Sequence, residues 1–95
     1  MSAYFIVCLG EVEDEAAFAE YRRLALPTLK SAGAIFRTRN GPFETLEGNP
    51  VQRVIVVEFP SMEAAKAWYF SPEYQEALPF RLKAVRSQVM LANGA

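Results

Sequence analysis

The sequence contains no histidine and only one cysteine, Cys8. The first absence removes the side chain that most often serves as a general base near neutral pH, as a zinc ligand or as an axial haem ligand. The second excludes an internal disulfide, and with no histidine it leaves no conventional transition-metal site, so neither a metal nor a cofactor is expected. Charge of one sign is also lacking: ten basic and eleven acidic residues leave a net charge of −1, and no run of Lys or Arg forms a patch. Nucleic acid is therefore not an expected partner. No apolar run approaches the roughly 20 residues needed to span a bilayer. Met1-Ser2-Ala3 leads into Tyr4-Phe5-Ile6-Val7-Cys8-Leu9 without a basic leader, so a cytoplasmic protein with no membrane partner is expected. No G-x-G-x-x-G, Walker-type loop or G-x-S-x-G elbow is present.

What remains is an ordinary globular composition, 52% hydrophobic and 22% charged over 95 residues. That length predicts one domain covering 1–95. Residues 3–11 are apolar, aromatic and β-branched, and predict a first strand. Asp14 is an N-cap, after which Phe18, Tyr21, Ala25, Leu29 and Ala32 recur at helical spacing until Gly33 ends the helix. Pro27 should cost that helix a hydrogen bond and kink it. Residues 34–40 predict a second strand, with 44–47 as a short continuation, and Gly48-Asn49-Pro50 marks a turn. A third strand follows over 51–59. Ser61 caps a second helix with Met62, Ala65 and Trp68 as its apolar stripe, and Ser71-Pro72-Glu73 restarts a helical piece to about Ala84. Tyr74, Leu78 and Leu82 are expected to point inward there, with Pro79 bending or restarting the helix. A fourth strand covers 87–92, and 93–95 should fray.

The order β-α-β-β-α-β is that of the α+β ferredoxin-like fold, with a four-stranded antiparallel sheet and strands one and three central. Those two strands do not alternate apolar with polar. Phe5, Val7 and Leu9 oppose Tyr4, Ile6 and Cys8, and Ile55, Val57 and Phe59 oppose Val54 and Val56. Helices can cover only one sheet face, so the other needs a partner. The simplest partner is a second copy, giving a homodimer through the sheet face. A different protein docked there is the alternative.

The stretch from Val57 to Gln75, with its Glu58-Phe59-Pro60-Ser61 turn, Trp68-Tyr69 and Ser71-Pro72-Glu73-Tyr74-Gln75, resembles the domain of unknown function 1330 family. The Ala3-Tyr4 strand, Phe18-x-x-Tyr21 and Leu46-Glu47-Gly48 fit the same resemblance. It implies a dimeric α+β barrel. Relatives of that barrel include cofactor-free monooxygenases, muconolactone-type isomerases and haem-degrading proteins, so the fold alone selects no chemistry.

Candidate site residues follow from residue type and position. Cys8 lies in an apolar central strand, where a thiol is inert packing rather than a nucleophile. Glu58 shares a face with Val54 and Val56; it is either a general base with a raised pKa or the partner of an arginine. Arg37, Arg39, Arg81 and Arg86 could each grip a carboxylate, although Arg39 equally serves to discourage edge pairing. Tyr21, Trp68, Tyr69 and Tyr74 either pack helices on the sheet or line an apolar pocket. Three functions stay open: a dimer that binds a small, mostly apolar molecule; a cofactor-free isomerase or oxygenase; and an interaction module. In the enzyme, Glu58 would be the base, Tyr69 or Tyr74 the oxyanion donor and Arg37 or Arg81 the anchor.

Overall fold

The computed structural model describes residues 1–95. Its elements are β1 (Ala3–Val12), α1 (Glu15–Ser31), β2 (Ile35–Thr38), β3 (Arg53–Phe59), α2 (Met62–Tyr69), α3 (Pro72–Ala84) and β4 (Val85–Asn93). The four strands form one antiparallel sheet in the order β2-β3-β1-β4. This is the ferredoxin-like arrangement, with the two most apolar strands in the middle.

Local chemistry starts each helix where the sequence predicts. The Asp14 carboxylate accepts from the Ala17 amide, Ser61 Oγ from the Ala64 amide and Ser71 Oγ from the Tyr74 amide. Each bond satisfies a first-turn N–H that has no partner within the helix. Gly33, at φ 72°, turns the chain out of α1 in a conformation that a side chain would oppose.

Five expectations are corrected. The inward stripe of α3 is Tyr74, Ala77, Arg81 and Ala84, while Leu82 faces solvent. Small residues let α3 approach its neighbours closely, and that packing sets the phase of the helix in place of the largest apolar side chains. The restart expected at Pro79 does not occur, since α3 runs unbroken from Pro72 to Ala84 with Ala77 and Arg81 buried on either side of it. Residues 44–47 form no strand, and the stretch 37–50 is exposed throughout. The C-terminal end is clasped rather than frayed, since the Gly94 amide donates to the Ser2 carbonyl at 2.7 Å. β4 also begins two residues earlier than expected, because α3 passes into it without a linker.

Register separates the two sheet faces. On β1, Ala3, Phe5, Val7 and Leu9 are buried under the helices beside Val57 and Phe59 of β3. The opposite face carries three rows: Ile35, Glu58, Tyr4 and Ala92; then Val56, Ile6 and Met90; then Val54, Cys8 and Gln88. Its apolar side chains are half-buried or exposed in the single chain. On the covered face, Phe59 is fully buried and packs on Trp68, with ring centroids 5.1 Å apart. Replacing Phe59 by Ala should cost about 3–5 kcal/mol, as burial and a residual cavity dictate. Urea unfolding followed by circular dichroism measures that loss.

Candidate functional site

The sheet divides the candidate residues into two groups that cannot touch. Glu58 and Arg37 lie on the open face; Tyr21, Trp68, Tyr69, Tyr74 and Arg81 lie on the helical side or in the helices above it.

On the open face, Arg37 Nε donates to Glu58 Oε1 at 2.7 Å and Ser2 Oγ donates to Oε2 at 2.6 Å. Both carboxylate oxygens are engaged. The Ser2 hydroxyl, and then the Arg37 guanidinium, hold the Glu58 carboxyl below its ordinary pKa. The raised pKa that a general base would need is therefore absent. Of the two sequence readings, the pairing with an arginine describes the geometry.

The aromatic cluster joins three helices to the sheet. Trp68 packs on Phe5 at 4.9 Å and on Tyr74 at 4.2 Å between ring centroids. Its indole N–H donates to Thr28 Oγ1 at 2.9 Å, and that hydroxyl donates to the Ala25 carbonyl at 2.6 Å. This chain of bonds satisfies the buried indole and pins α2 to α1. Tyr69 is half-buried, 5.3 Å from the Tyr74 ring. The Tyr74 hydroxyl shares a hydrogen bond of 2.9 Å with that of Tyr21. Burial first, and then the neighbouring Tyr74, push the Tyr21 phenol well above its usual pKa, so it is a neutral donor at physiological pH.

Beyond Tyr21, between α1 and the sheet, lies a cleft of about 60 Å³, several times the space one water needs. Its floor is Phe5, Val7, Leu9, Ile55 and Val57, and its roof comes from the Phe18–Leu29 stretch of α1. Phe36 of β2 extends the floor, and the charged side chains lining the cleft are all arginines: Arg22, Arg39, Arg53 and Arg81. The Arg22 guanidinium lies 5.3 Å from the Phe18 ring centroid and that of Arg39 lies 4.5 Å from Phe36. Arg81 is the deepest of the four, 4% exposed. Its Nη1 donates to Ser87 Oγ, its guanidinium carbon sits 5.7 Å from the Tyr21 ring centroid, and its Nε is buried without a partner.

Sequence reasoning singled out Tyr21, Arg39 and Arg81 but missed Arg22, Arg53 and Ser87. Positions 22, 39, 53 and 81 follow no common spacing, and Ser87 reads as an ordinary polar residue of an edge strand. No group of His, Cys, Asp or Glu side chains is placed to hold a metal ion. No helix is long and apolar enough to cross a membrane.

The domain of unknown function (DUF1330) family matches residues 2–95. The chain belongs to that family. No curated protein matches it. Among solved structures it is similar to a protein of unknown function from Rhodopseudomonas palustris, at 20% identity and TM-score 0.77, covering 99% of this chain and 82% of the other. It is also similar to a dimeric ferredoxin-like protein of unknown function from Jannaschia sp. CCS1, at 23% identity and TM-score 0.65, covering 99% and 100%. A third likeness is to SnoaB, a cofactor-independent oxygenase from Streptomyces nogalater, at 14% identity and TM-score 0.61, covering 99% and 93%. At these identities the shared property is the fold.

The Glu58 geometry has a pH consequence. Because the folded-state pKa is lowered, the stabilisation is present above the ordinary glutamate value of 4.5 and is lost as pH falls through the lower folded value. Glu58→Gln should therefore be less stable than the parent at neutral pH, and the gap should close on acidification below pH 4.5. Urea midpoints between pH 7 and pH 3 report it, and a gap independent of pH would contradict the assignment.

Proposed function

We propose that this chain acts as a homodimer, packed through its open sheet faces, in which each protomer holds a small, mostly apolar molecule in the cleft between α1 and the sheet. The observation that carries the binding reading is the cleft itself: an apolar floor and roof with a few convergent polar groups, the lining that small-molecule sites have at a volume well under that of a drug-sized site. It lies under α1, within reach of solvent past Arg22 and Arg39, which are exposed.

The dimer reading is supported by the open face. Its central rows place Ile6 between Val56 and Met90, and Cys8 beside Val54. Each buried aliphatic side chain is worth about 1.5–3 kcal/mol, so pairing two such faces offsets the cost of association more readily than leaving them wet. The likeness to the dimeric Jannaschia protein points the same way. A different protein on this face is the competing occupant. Catalysis by Glu58 acting with Tyr69 or Tyr74 has no support from this arrangement, because the sheet stands between them.

Two measurements test the reading separately. Titration of the 15N-labelled protein with hexan-1-ol should give saturable shifts confined to residues lining the cleft, such as Leu26, Phe36 and Ile55. Shifts that never saturate, or that scatter over the surface, would sink the binding reading. Sedimentation equilibrium should give twice the chain mass of 10.6 kDa, and Ile6→Glu, which sets a charge in the middle of each facing sheet, should give the single mass. A wild-type monomer at tens of micromolar would refute the dimer and leave the cleft untouched.

A further inference from the structure

The cleft's polar chemistry is one-sided. The structure's ion pairs use Arg23 with Glu20, Arg37 with Glu58 and Lys83 with Asp14. None of the four arginines of the cleft takes part in one, although the chain has eleven acidic residues to draw on. Three of them, Arg22, Arg39 and Arg53, reach water to some degree and need no partner. Arg81 does not have that outlet. A guanidinium buried to 4% exposure without a carboxylate is costly, because its hydration is gone and nothing of opposite charge replaces it. It keeps its charge regardless of burial.

The geometry around Arg81 defines what would satisfy it. Ser87 engages Nη1 and orients the guanidinium plane, leaving Nε without an acceptor. The Nε edge of a guanidinium, together with the adjoining Nη2, is the fork that takes the two oxygens of a carboxylate. Beside it, the Tyr21 and Tyr74 hydroxyls share one hydrogen bond between them. Two phenols carry two protons, so one O–H remains to be donated elsewhere. The Arg81 Nε–H is thus a buried donor without an acceptor, one phenol O–H is free to donate beside it, and between them and Arg22, Arg39 and Arg53 the lining is hydrocarbon and aromatic.

We infer that the cleft's ligand is a small monocarboxylate with an apolar body, its carboxylate seated on the Nε edge of Arg81 with Tyr21 as a further donor and its body along Val7, Ile55 and Val57. This rests on the binding reading above and specifies it. The partly exposed Arg22 and Arg39 at the rim draw the anion in, while Arg81 holds it. A neutral molecule of the same shape would leave the buried guanidinium edge unpaired, and a cation would meet four positive charges. Ser87 acts as a positioning residue, since its bond to Nη1 fixes the guanidinium plane against which the carboxylate lies.

The test compares hexanoate with hexan-1-ol, which have the same carbon count and differ at the head group, by 15N-detected titration and calorimetry at constant ionic strength. Wild-type protein should bind hexanoate at least about tenfold more tightly, as charge-assisted paired hydrogen bonds provide, and the Arg81 Nε–H resonance should move on binding the acid but not the alcohol. Arg81→Gln should bring the two affinities together, and Tyr21→Phe should reduce the preference without abolishing it. Equal affinities in the wild type would overturn the carboxylate assignment while leaving the cleft reading intact. Saturable binding of neither compound would remove both. A preference that survives in Arg81→Gln, or an Nε–H resonance that hexanoate leaves unmoved, would overturn the role of Arg81. The resonance is read on wild-type protein, so it decides the matter even if the glutamine variant does not fold.

Discussion

The structure depends on one constraint: the two central strands are apolar on both faces. β1 and β3 pair over seven successive positions, from Ala3 opposite Phe59 to Leu9 opposite Arg53. Side chains alternate strictly between faces, so this register commits Phe5, Val7, Val57 and Phe59 to the helices and Tyr4, Ile6, Val54 and Val56 to the other side. The helices have no choice but to gather on one side. The division also sorts the polar chemistry. Glu58 is placed with the open face and is held there as a carboxylate by Ser2 and Arg37, while Arg81 and the tyrosines are sealed among the helices. Two groups that look like partners in the sequence are separated by the thickness of a sheet.

Within the helical layer, stability and openness are in tension. Trp68 is the tightest joint, touching Phe5, Phe59 and Tyr74 and hydrogen-bonded to Thr28. On the far side of Tyr74 the packing loosens, and α1 leaves the cleft between itself and β3. A chain of 95 residues has a thin margin of stability. Selection for stability alone would fill that gap with hydrocarbon and exchange Arg81 for a leucine or methionine, since a well-packed apolar residue commonly matches or exceeds a buried charge. Arg81 and Ser87 depart from that economy at the same place as the cleft, and local rules are broken most often where a site is housed.

Much of the fold was legible because it is written in short-range chemistry. Asp14, Ser61 and Ser71 cap helices through contacts three residues away, and the run Val54 to Val57 reads as a central strand. Grouping Glu58 with Val54 and Val56 was equally legible. Which side that group would occupy was not, because both faces of β1 and β3 are about equally apolar and nothing in the alternation says where the helices will sit. Leu82 was misplaced for a related reason: size predicts burial only when the neighbour has room, and the space facing α3 suits Ala77 and Ala84. The cleft was the least legible feature. Arg22, Arg39, Arg53 and Arg81 come from four separate segments, and each looks like a solvated surface charge until the fold brings them around one space.

The meeting of the chain's ends has a mechanical consequence. Ala3 lies opposite Asn93, and Gly94 is bonded to Ser2, so residues 1 and 95 emerge side by side from neighbouring antiparallel strands. Tension applied between them would load the β1–β4 ladder at that end, one hydrogen bond after another, instead of shearing all of them together. The domain would open like a zip at low force, starting with the Gly94 clasp and passing Met90 and Gln88 before it disturbed Trp68. Resistance to pulling and resistance to denaturant would thus be governed by different parts of the same small molecule.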